Sequence, residues 1–318
     1  MRVGTIQFQH QAGHLDYNYE RLAELFTEGA QRGCELIVSP ECGLTGYWHL
    51  RHLSKADLRR LANDVVESDY ITRLGRLATQ NEIVLGIGYV ELDGDTGDLY
   101  NSYQVIGPAG GLAIDRKLHC FVSEHISSGK DYTVFTLPNG KRCGILICYD
   151  NNIVENVRAT ALMGAEILLA PHQTGGCDSG SPFAMGKIDP VLWEQRHDSP
   201  DVIEAEFAGE KGRGWLMRWL PSRAHDNGIF IIFSNGVGTD DDEVRTGNAM
   251  ILDPYGRIIK ETGVADDQLV VGDLDFSIRE KSTGARWIRA RRPELYEELT
   301  RIRSEAETTR SIRVEHLD

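Results

Sequence analysis

GILICYDNNIVENVRATALMGAEILLAP, residues 144–171, contains the pattern from which the fold can be worked outward. Residues 145–147 form an unbroken apolar run, which is typical of a strand that is buried on both faces. Asn151 or Asn152 can then cap a helix that runs to about residue 164, and a second apolar strand follows at 167–170. This spacing predicts a strand, a helix and a strand, with Cys148 in the first turn.

Apolar runs and amphipathic patterns alternate along the rest of the chain. We expect further strands at 2–9, 35–38, 83–90, 100–106, 112–115, 134–137, 142–147, 229–234, 248–252 and 269–274. Helices are expected at 18–32, 54–66, 70–80 and 213–226, whereas 172–212 shows no regular pattern. No repeat, low-complexity block or linker interrupts the chain, so we predict one α/β domain, residues 1–285, with two mixed sheets covered by helices.

The composition limits the location and the partners of the protein. The 318 residues carry a formal net charge of −14, which disfavours nucleic acid and anionic membranes as partners. No apolar run approaches the ~18 residues that a membrane span needs. The six cysteines form no CxxC pair, and the N-terminus is typical of a first strand rather than a signal peptide. We therefore expect a cytoplasmic protein.

The predicted position of Cys148 suits a nucleophile. The N-terminus of a helix favours a thiolate, and its free backbone N–H groups can bind an oxyanion. The alternative is that Cys148 only fills the core at the end of a buried strand.

A nucleophilic thiol also needs a base and a positive charge, and two residues occupy equivalent positions. Glu41 follows the strand at 35–38, and Lys117 follows the strand at 112–115. Open α/β sheets build their sites at such strand ends. No histidine stands in a pattern that identifies it as the base, and a solvated loop charge is the alternative for either residue alone.

Six sequence blocks, in order, resemble the nitrilase superfamily of carbon–nitrogen hydrolases over most of the chain. The blocks are SPE with TGY (39–41 and 45–47), RKLH (116–119), GILICYD (144–150), Arg223-Ala224 with Asn227, GNAMILDPYG (247–256) and RRPELY (291–296). The resemblance implies a four-layer αββα sandwich and a catalytic triad of Glu41, Lys117 and Cys148. It also implies a second glutamate, Glu124, that orients Lys117 and Glu41 or the substrate nitrogen.

The residue types fit the roles that the resemblance implies. Glu41 would take the thiol proton and later activate water, and Lys117 would hold positive charge near the thiolate and the oxyanion. The backbone N–H of Tyr149 would be a second oxyanion donor. We expect Tyr47 and the Tyr149 side chain to contact the substrate, and we expect neither a metal nor a cofactor.

The residues after the nucleophile favour amide cleavage among the reactions of the superfamily. Tyr149-Asp150 resembles the amide-cleaving branches, and a nitrilase is the first alternative. N-carbamoyl amino-acid hydrolases carry arginines after the nucleophile, where this chain has Asn151 and Asn152, so an N-carbamoyl amine hydrolase is less favoured. Many relatives carry Phe-Pro directly before the glutamate that corresponds to Glu155, and this chain has Ile153-Val154 in that place. A catalytically inactive binding protein on the same fold is the alternative from another class.

Two other kinds of site are weaker interpretations. His119, Cys120, Glu124 and His125 lie close in sequence, but their spacing does not match a zinc signature. Residues 209–214 are rich in glycine, but they follow no strand and lack the Lys-Ser/Thr ending of a phosphate-binding loop.

Residues 172–212 are predicted to fold over the site as a lid. His172 and Gln173 would enter the substrate pocket, and Gly175, Gly176 and Gly180 would form a hinge. The segment is acidic, which favours neutral or cationic amides, although a solvated outer face explains most of these carboxylates equally well.

The tail at 286–318 is rich in Arg and Glu and has no core face of its own. We expect it to pack on the domain or on a partner subunit, within a homodimer or a larger homo-oligomer. A frayed, solvated terminus is the alternative for the last ten residues.

Overall fold

The apolar runs of the sequence become strands in the computed structural model, which describes residues 1–301 and 307–314. The strands are β1 (Arg2–Phe8), β2 (Leu36–Val38), β3 (Val84–Leu92), β4 (Leu99–Gly107), β5 (Gly110–Arg116), β6 (Ile126–Ser127), β7 (Thr133–Thr136), β8 (Arg142–Ile145), β9 (Ile167–His172), β10 (Phe230–Asp240), β11 (Glu243–Thr246), β12 (Met250–Leu252), β13 (Ile258–Glu261) and β14 (Gln268–Asp273). The helices are α1 (Leu15–Gln31), α2 (Lys55–Glu67), α3 (Tyr70–Asn81), α4 (Val154–Leu162), α5 (Pro190–Glu194), α6 (Pro200–Ala208), α7 (Arg213–Met217), α8 (Leu220–Asn227), α9 (Thr283–Arg289) and α10 (Thr309–Val314).

The strands form two mixed sheets. The first has the order β14-β1-β2-β3-β4-β5, and the second has the order β13-β12-β10-β9-β8-β7. Both sheets contain parallel and antiparallel pairs. β1 and β10 also pair in parallel, at Gln7–Asn235 and Phe8–Gly236, and this pairing joins the two sheets.

Each sheet has apolar side chains on both faces, because successive strand residues point in opposite directions, and the fold therefore has four layers. In β2, Leu36 and Val38 face the second sheet, whereas Ile37 faces the helices, because successive strand residues point to opposite faces. Helices α1–α3 cover the outer face of the first sheet, and α4 and α8 cover the outer face of the second. The predicted αββα sandwich is confirmed. Among the described residues, no helix is both long and apolar enough to cross a membrane.

Strand direction brings several chain segments to one edge of the sandwich. β8, β9, β10, β1, β2 and β3 are parallel in succession, and two antiparallel steps from β3 through β4 give β5 the same direction. The residues that follow β2, β5, β8 and β9 therefore meet at a common edge. This is the edge at which the site is built.

Three local predictions were wrong. Cys148–Asn151 is a 3-10 turn and α4 begins only at Val154, with Ile153 rather than an asparagine at its N-cap. The helix expected at 213–226 is split into α7 and α8, because Pro221 cannot donate the backbone hydrogen bond that a continuous helix requires.

The third error concerns 172–212, which is not irregular. It contains α5 and α6, whose Trp193, Ile203 and Phe207 are buried with Val237 and Val244 of the β10–β11 hairpin.

The predicted domain boundary after residue 285 falls inside α9. This helix packs against α8, and Gly284 lies so close to the His225 carbonyl that an added Cβ would be 2.0 Å from it. The domain therefore includes α9. Beyond it, 3-10 turns occur at Pro293–Leu295 and Glu297–Thr300, and the described chain ends with α10.

Candidate active site

Glu41, Lys117 and Cys148 meet at the common edge of the sheets, and we call these three residues the floor of the site. They follow β2, β5 and β8, and their exposed fractions are 0%, 1% and 7%. Lys117 Nζ donates to Glu41 Oε1 at 2.5 Å, and Asn101 Nδ2 of β4 donates to the same oxygen at 2.7 Å. Glu41 Oε2 has no hydrogen-bond partner of standard geometry within residues 1–301 and 307–314.

Cys148 is held as a protonated thiol beside a carboxylate. Burial, followed by the negative charge of Glu41, raises the pKa of the Cys148 thiol to about 12. The Lys117 ammonium and the backbone N–H of Gln173 act in the opposite direction, because both favour the thiolate. The residue also has a φ of 50°, in the left-handed region that side chains rarely adopt. A buried thiol with a raised pKa needs a base before it can attack, and the Glu41 carboxylate is close enough for its charge to act on the thiol.

Lys117 keeps its positive charge despite full burial. Burial disfavours the ammonium, but the Glu41 carboxylate and the neighbouring Tyr47 and Cys148 overcome this effect and raise the pKa of Lys117 well above its usual value. The ammonium also lies 5.4 Å from the centre of the Tyr47 ring and 5.0 Å from that of Phe121. The floor therefore contains a buried cation.

Two side chains of the turn itself shape it around Cys148. Asn151 Nδ2 donates to the Leu146 carbonyl at 2.7 Å and to the Cys148 carbonyl at 3.2 Å. The Asp150 carboxylate accepts from the backbone N–H groups of Leu118 at 3.0 Å and His119 at 2.9 Å. Asp150 therefore ties the segment after Lys117 to the turn that holds Cys148.

Arg223 of α8 supports the same turn from outside. Its guanidinium donates to the carbonyls of Asn151 and Asn152, at 3.0 and 2.8 Å. The sequence block that contains Arg223 therefore has a structural explanation, since it fixes the backbone that follows the nucleophile.

A cavity of about 530 Å³ lies above Cys148. Nine of its twenty lining residues come from residues 174–185 and from α10, and we call these two segments the rim. The lining residues are Tyr47, Trp48, Phe121, Cys148, Tyr149, Asn152, Gln173, Thr174, Cys177, Ser179, Ser181, Phe183, Ala184, Met185, Trp215, Arg218, Glu243, Arg245, Ile312 and Arg313. The size suits a small molecule, and the mixture of aromatic and charged groups suits a polar one.

Of the predicted substrate contacts, Tyr47, Tyr149 and Gln173 line the cavity. His172 does not, which corrects the prediction. β9 extends to His172, so alternation turns its ring to the outer layer, where the ring centre is 4.6 Å from Phe233 and 5.8 Å from Trp219. His172 instead supports the nucleophile turn, with Nε2 3.2 Å from Asn151 Nδ2.

The structure does not bring Glu124 into the site. Its side chain is 75% exposed, and its ionic contact is with His125 at 3.9 Å. The resemblance placed Glu124 by its position before Gly129, but its side chain points to solvent from a loop whose Val122 and Ile126 are buried. Asn101, which sequence reasoning missed, makes the contact with Glu41 that was expected of Glu124. A single asparagine inside a strand gives no recognisable sequence signal.

Only the first third of 172–212 covers the site. Gly175 and Gly176 are buried rather than hinge-like, since a Cβ on Gly176 would lie 1.8 Å from the Val244 carbonyl oxygen. The acidic residues of the segment that were expected near the substrate do not line the cavity, and Asp189, Glu194 and Asp201 are exposed. The prediction of an acidic lid is therefore not met.

Glu243, Arg245 and the residues of α10 were not predicted as parts of the site. Arg245 is buried, with Nε 2.9 Å from Asp240 and Nη1 2.8 Å from Glu243. Within the described part of the chain, no group of three or more His, Cys, Asp and Glu side chains is placed to hold a metal ion.

Comparison with known proteins gives consistent matches over most of the chain. The sequence model for carbon-nitrogen hydrolases matches residues 2–281. A nitrilase from Pyrococcus abyssi is 25% identical over 285 residues, which cover 88% of this chain and 92% of that protein. An (R)-stereoselective amidase from Pseudomonas sp. is 29% identical over 279 residues, which cover 87% and 85%. The solved structure of an amidase from Nesterenkonia sp. has the same fold, with a TM-score of 0.69 and 20% identity over 94% of this chain and 96% of that one.

Proposed function

The chain belongs to the carbon–nitrogen hydrolase family, and we propose that it hydrolyses small linear amides through a thioester on Cys148. The observation that carries this proposal is the floor, in which a protonated thiol, a carboxylate and an ammonium share one buried site. The amidase from Pseudomonas sp. among its relatives supports the choice of an amide.

The first half of the reaction forms the thioester. Glu41 accepts the thiol proton, and the sulfur attacks the carbonyl carbon of the amide. Lys117 Nζ and the backbone N–H of Tyr149 stabilise the oxyanion that results. The C–N bond then breaks, the proton on Glu41 passes to the nitrogen, and ammonia or an amine leaves.

The second half releases the acid. Glu41 is a carboxylate again, so it accepts a proton from water as the oxygen attacks the thioester carbon. The C–S bond breaks, the carboxylic acid leaves, and the proton returns from Glu41 to the sulfur. One water is consumed in each cycle, and the enzyme returns to its starting state.

Nitrile hydrolysis on the same floor is the second candidate, since the relative from Pyrococcus abyssi is a nitrilase. The Tyr149-Asp150 pair favours the amide. A matched pair of substrates, butyramide and butyronitrile, separates the two reactions when ammonia release is measured for each. We expect ammonia mainly from butyramide, and a preference for butyronitrile would reverse the assignment.

Mass spectrometry of the stopped reaction tests the covalent step. We expect the intact protein to gain the mass of the acyl group, and we expect the gain to map to the peptide that contains Cys148. The Cys148→Ala variant is the control, because it should show neither the adduct nor ammonia release. A protein with no activity toward amides, ureides or nitriles would be an inactive binding protein on this fold.

We also propose that the protein forms a homodimer in the cytoplasm. Val154, Trp287 and Leu299 are 53%, 49% and 65% exposed around a groove between α4 and the residues after α9, and a second copy would cover them. All six cysteines are unpaired, which supports a reducing compartment. Light scattering checks the assembly, with a stable monomer at micromolar concentration as the contrary result, and cell fractionation checks the location.

A further inference from the structure

The C-terminal helix α10 is part of the substrate cavity. Ile312 and Arg313 line the same cavity as Cys148. Arg310 Nη1 donates to the Phe121 carbonyl at 2.8 Å, and Arg313 Nη1 donates to the Asp178 carbonyl at 2.9 Å. Val314 is buried in the cluster that contains Phe121. α10 is therefore fixed to two walls of the cavity, the loop at Phe121 and the segment at 177–178.

The charged side chains that line the cavity are mainly arginines, although the protein is acidic. Its lining contains Arg218, Arg245 and Arg313 and one carboxylate, Glu243, which gives a formal charge of three minus one, or +2. The whole chain has a formal charge of −14. Glu210 and Asp240 pair with two of these arginines from outside the lining and bring the formal sum to zero, so attraction of an anion depends on each arginine individually.

Two of the three arginines are already paired with carboxylates. Arg218 donates to Glu210, and Arg245 lies between Asp240 and Glu243 at 2.9 and 2.8 Å. These pairs hold the walls of the cavity together, and their charges are largely compensated.

Within residues 1–301 and 307–314, Arg313 differs because its hydrogen bonds are to neutral groups. Nη1 donates to a backbone carbonyl, and Nη2 lies 3.7 Å from Cys177 Sγ. Burial raises the pKa of Cys177, so this residue remains a neutral thiol. The guanidinium carbon also lies 5.5 Å from the centre of the Phe121 ring, which holds the side chain in place. These contacts orient Arg313, and none of them is to a carboxylate of the described part of the chain.

We propose that Arg313 binds a carboxylate of the substrate, so that the preferred substrates are small amides that also carry a carboxylate. A guanidinium can bind a carboxylate through two parallel hydrogen bonds, which gives both affinity and orientation. This inference rests on the proposed amidase function. It replaces the expectation that an acidic lid would favour neutral or cationic amides, because the charged residues that face the cavity are mainly arginines.

The test compares three amides of similar size in steady-state kinetics. Succinamic acid carries a carboxylate on the acyl side, N-butyrylglycine carries it on the amine side, and butyramide carries none. We expect kcat/KM for one of the two anionic amides to exceed that for butyramide by roughly tenfold or more. The better anionic amide shows on which side of the scissile bond the carboxylate lies.

The Arg313→Gln variant should reduce the ratio of kcat/KM for the better anionic amide to that for butyramide. A hydrogen bond to a charged group contributes about 1.5–3 kcal/mol, which corresponds to a roughly 10- to 150-fold reduction. Arg313→Lys keeps the charge but loses the paired geometry, so an intermediate ratio is expected. Arg289→Gln is the matched control, because it removes an exposed arginine of α9 outside the cavity and should leave the ratio unchanged.

The outcomes separate this inference from the proposed function. If the wild type cleaves butyramide as well as both anionic amides, or if Arg313→Gln leaves the ratio unchanged, the inference is wrong and the amidase function stands. If the wild type cleaves no amide, the proposed function fails. Calorimetric titration of Cys148→Ala with succinamic acid and with N-butyrylglycine then decides the inference. Binding of either acid that Arg313→Gln weakens tenfold or more supports it. Equal affinities with and without Arg313, or binding of neither acid, overturn it.

Discussion

The floor and the rim of the cavity are built in different ways. Glu41, Lys117 and Cys148 each follow a strand, so the two sheets fix their mutual positions. The rim consists of residues 174–185 and α10, which are joined by contacts such as that between Arg313 and the Asp178 carbonyl, across 135 residues of sequence. Chemistry on the floor and substrate choice at the rim can therefore vary independently.

The largest expected effect is that of removing the nucleophile from the floor. Cys148→Ala should lower kcat for any amide substrate by roughly 10⁴-fold or more, because the thioester cannot form. The fold should be unchanged, since alanine occupies the same turn, and circular dichroism with thermal unfolding checks this. Undiminished turnover of the purified variant would remove the basis for assigning chemistry to the floor.

The second prediction concerns the buried ion pair of the floor. Glu41→Gln should lower kcat by roughly 10³-fold, because the base is lost, and should destabilise the protein by about 3–5 kcal/mol, because Lys117 is left buried and unpaired. Denaturant unfolding measures the stability. Adding Lys117→Met removes the unpaired charge, so stability should recover while activity does not. If Glu41→Gln alone lowers the free energy of unfolding by less than about 1 kcal/mol, water must reach the Lys117 ammonium.

The position of the floor was predictable because each of its residues stands next to a strong local pattern. Unbroken apolar runs before Glu41 and Cys148 predict buried strands, and polar residues directly after such runs must lie at the strand ends. The structure brings these side chains together, and their catalytic roles stay predictions.

The error at His172 arose because β9 runs two residues further than predicted. β9 continues to His172 instead of ending at Ala170, and alternation then sends His172 outward and Gln173 inward. No local pattern marks the last residue of a strand, so this side-chain direction could not be predicted.

The rim was not predictable because it depends on contacts between distant parts of the chain. Arg310 contacts Phe121 across 189 residues, and no sequence pattern around either residue predicts this contact. The charge-rich tail that contains α10 was expected to pack on the domain or on a partner subunit, but its sequence does not indicate which surface it covers. Only packing in three dimensions places Arg313 at the cavity.

The third prediction tests where the rim ends within 172–212. Trp193 of α5 is 4% exposed and packs on Gly238 of β10, away from the cavity. Trp193→Ala should destabilise the protein by about 3 kcal/mol, because a large buried side chain is lost, and should leave relative rates across a panel of amides unchanged. Thermal unfolding and kinetics measure the two effects. A changed substrate preference would extend the rim to α5.

The fourth prediction concerns the pH dependence of Cys148 alkylation. Since the raised pKa lies near 12, the thiolate fraction below that value grows tenfold with each pH unit, and alkylation by iodoacetamide should rise by about tenfold per unit between pH 7 and 9. Lys117→Met should slow alkylation at every pH, because the ammonium favours the thiolate. Mass spectrometry of the Cys148 peptide gives the rate. A plateau across this range would mean that Cys148 is already ionised near neutral pH.

The smallest expected effect is that of changing Phe183, at the outer part of the rim. It tests whether a largely exposed side chain of the cavity wall contributes to the choice between amide substrates. Phe183 lines the cavity although it is 83% exposed, so its ring contacts only the part of a substrate that extends away from Cys148. Phe183→Ala should raise KM by roughly two- to fivefold for amides with long acyl chains, because about 1 kcal/mol or less of apolar contact is lost, and should leave kcat unchanged. Val202→Ala, at an exposed position on α6 outside the cavity, is the matched control and should change neither constant. An equal change in KM for short and long chains would show that Phe183 acts through the shape of the rim and not through direct contact with the substrate.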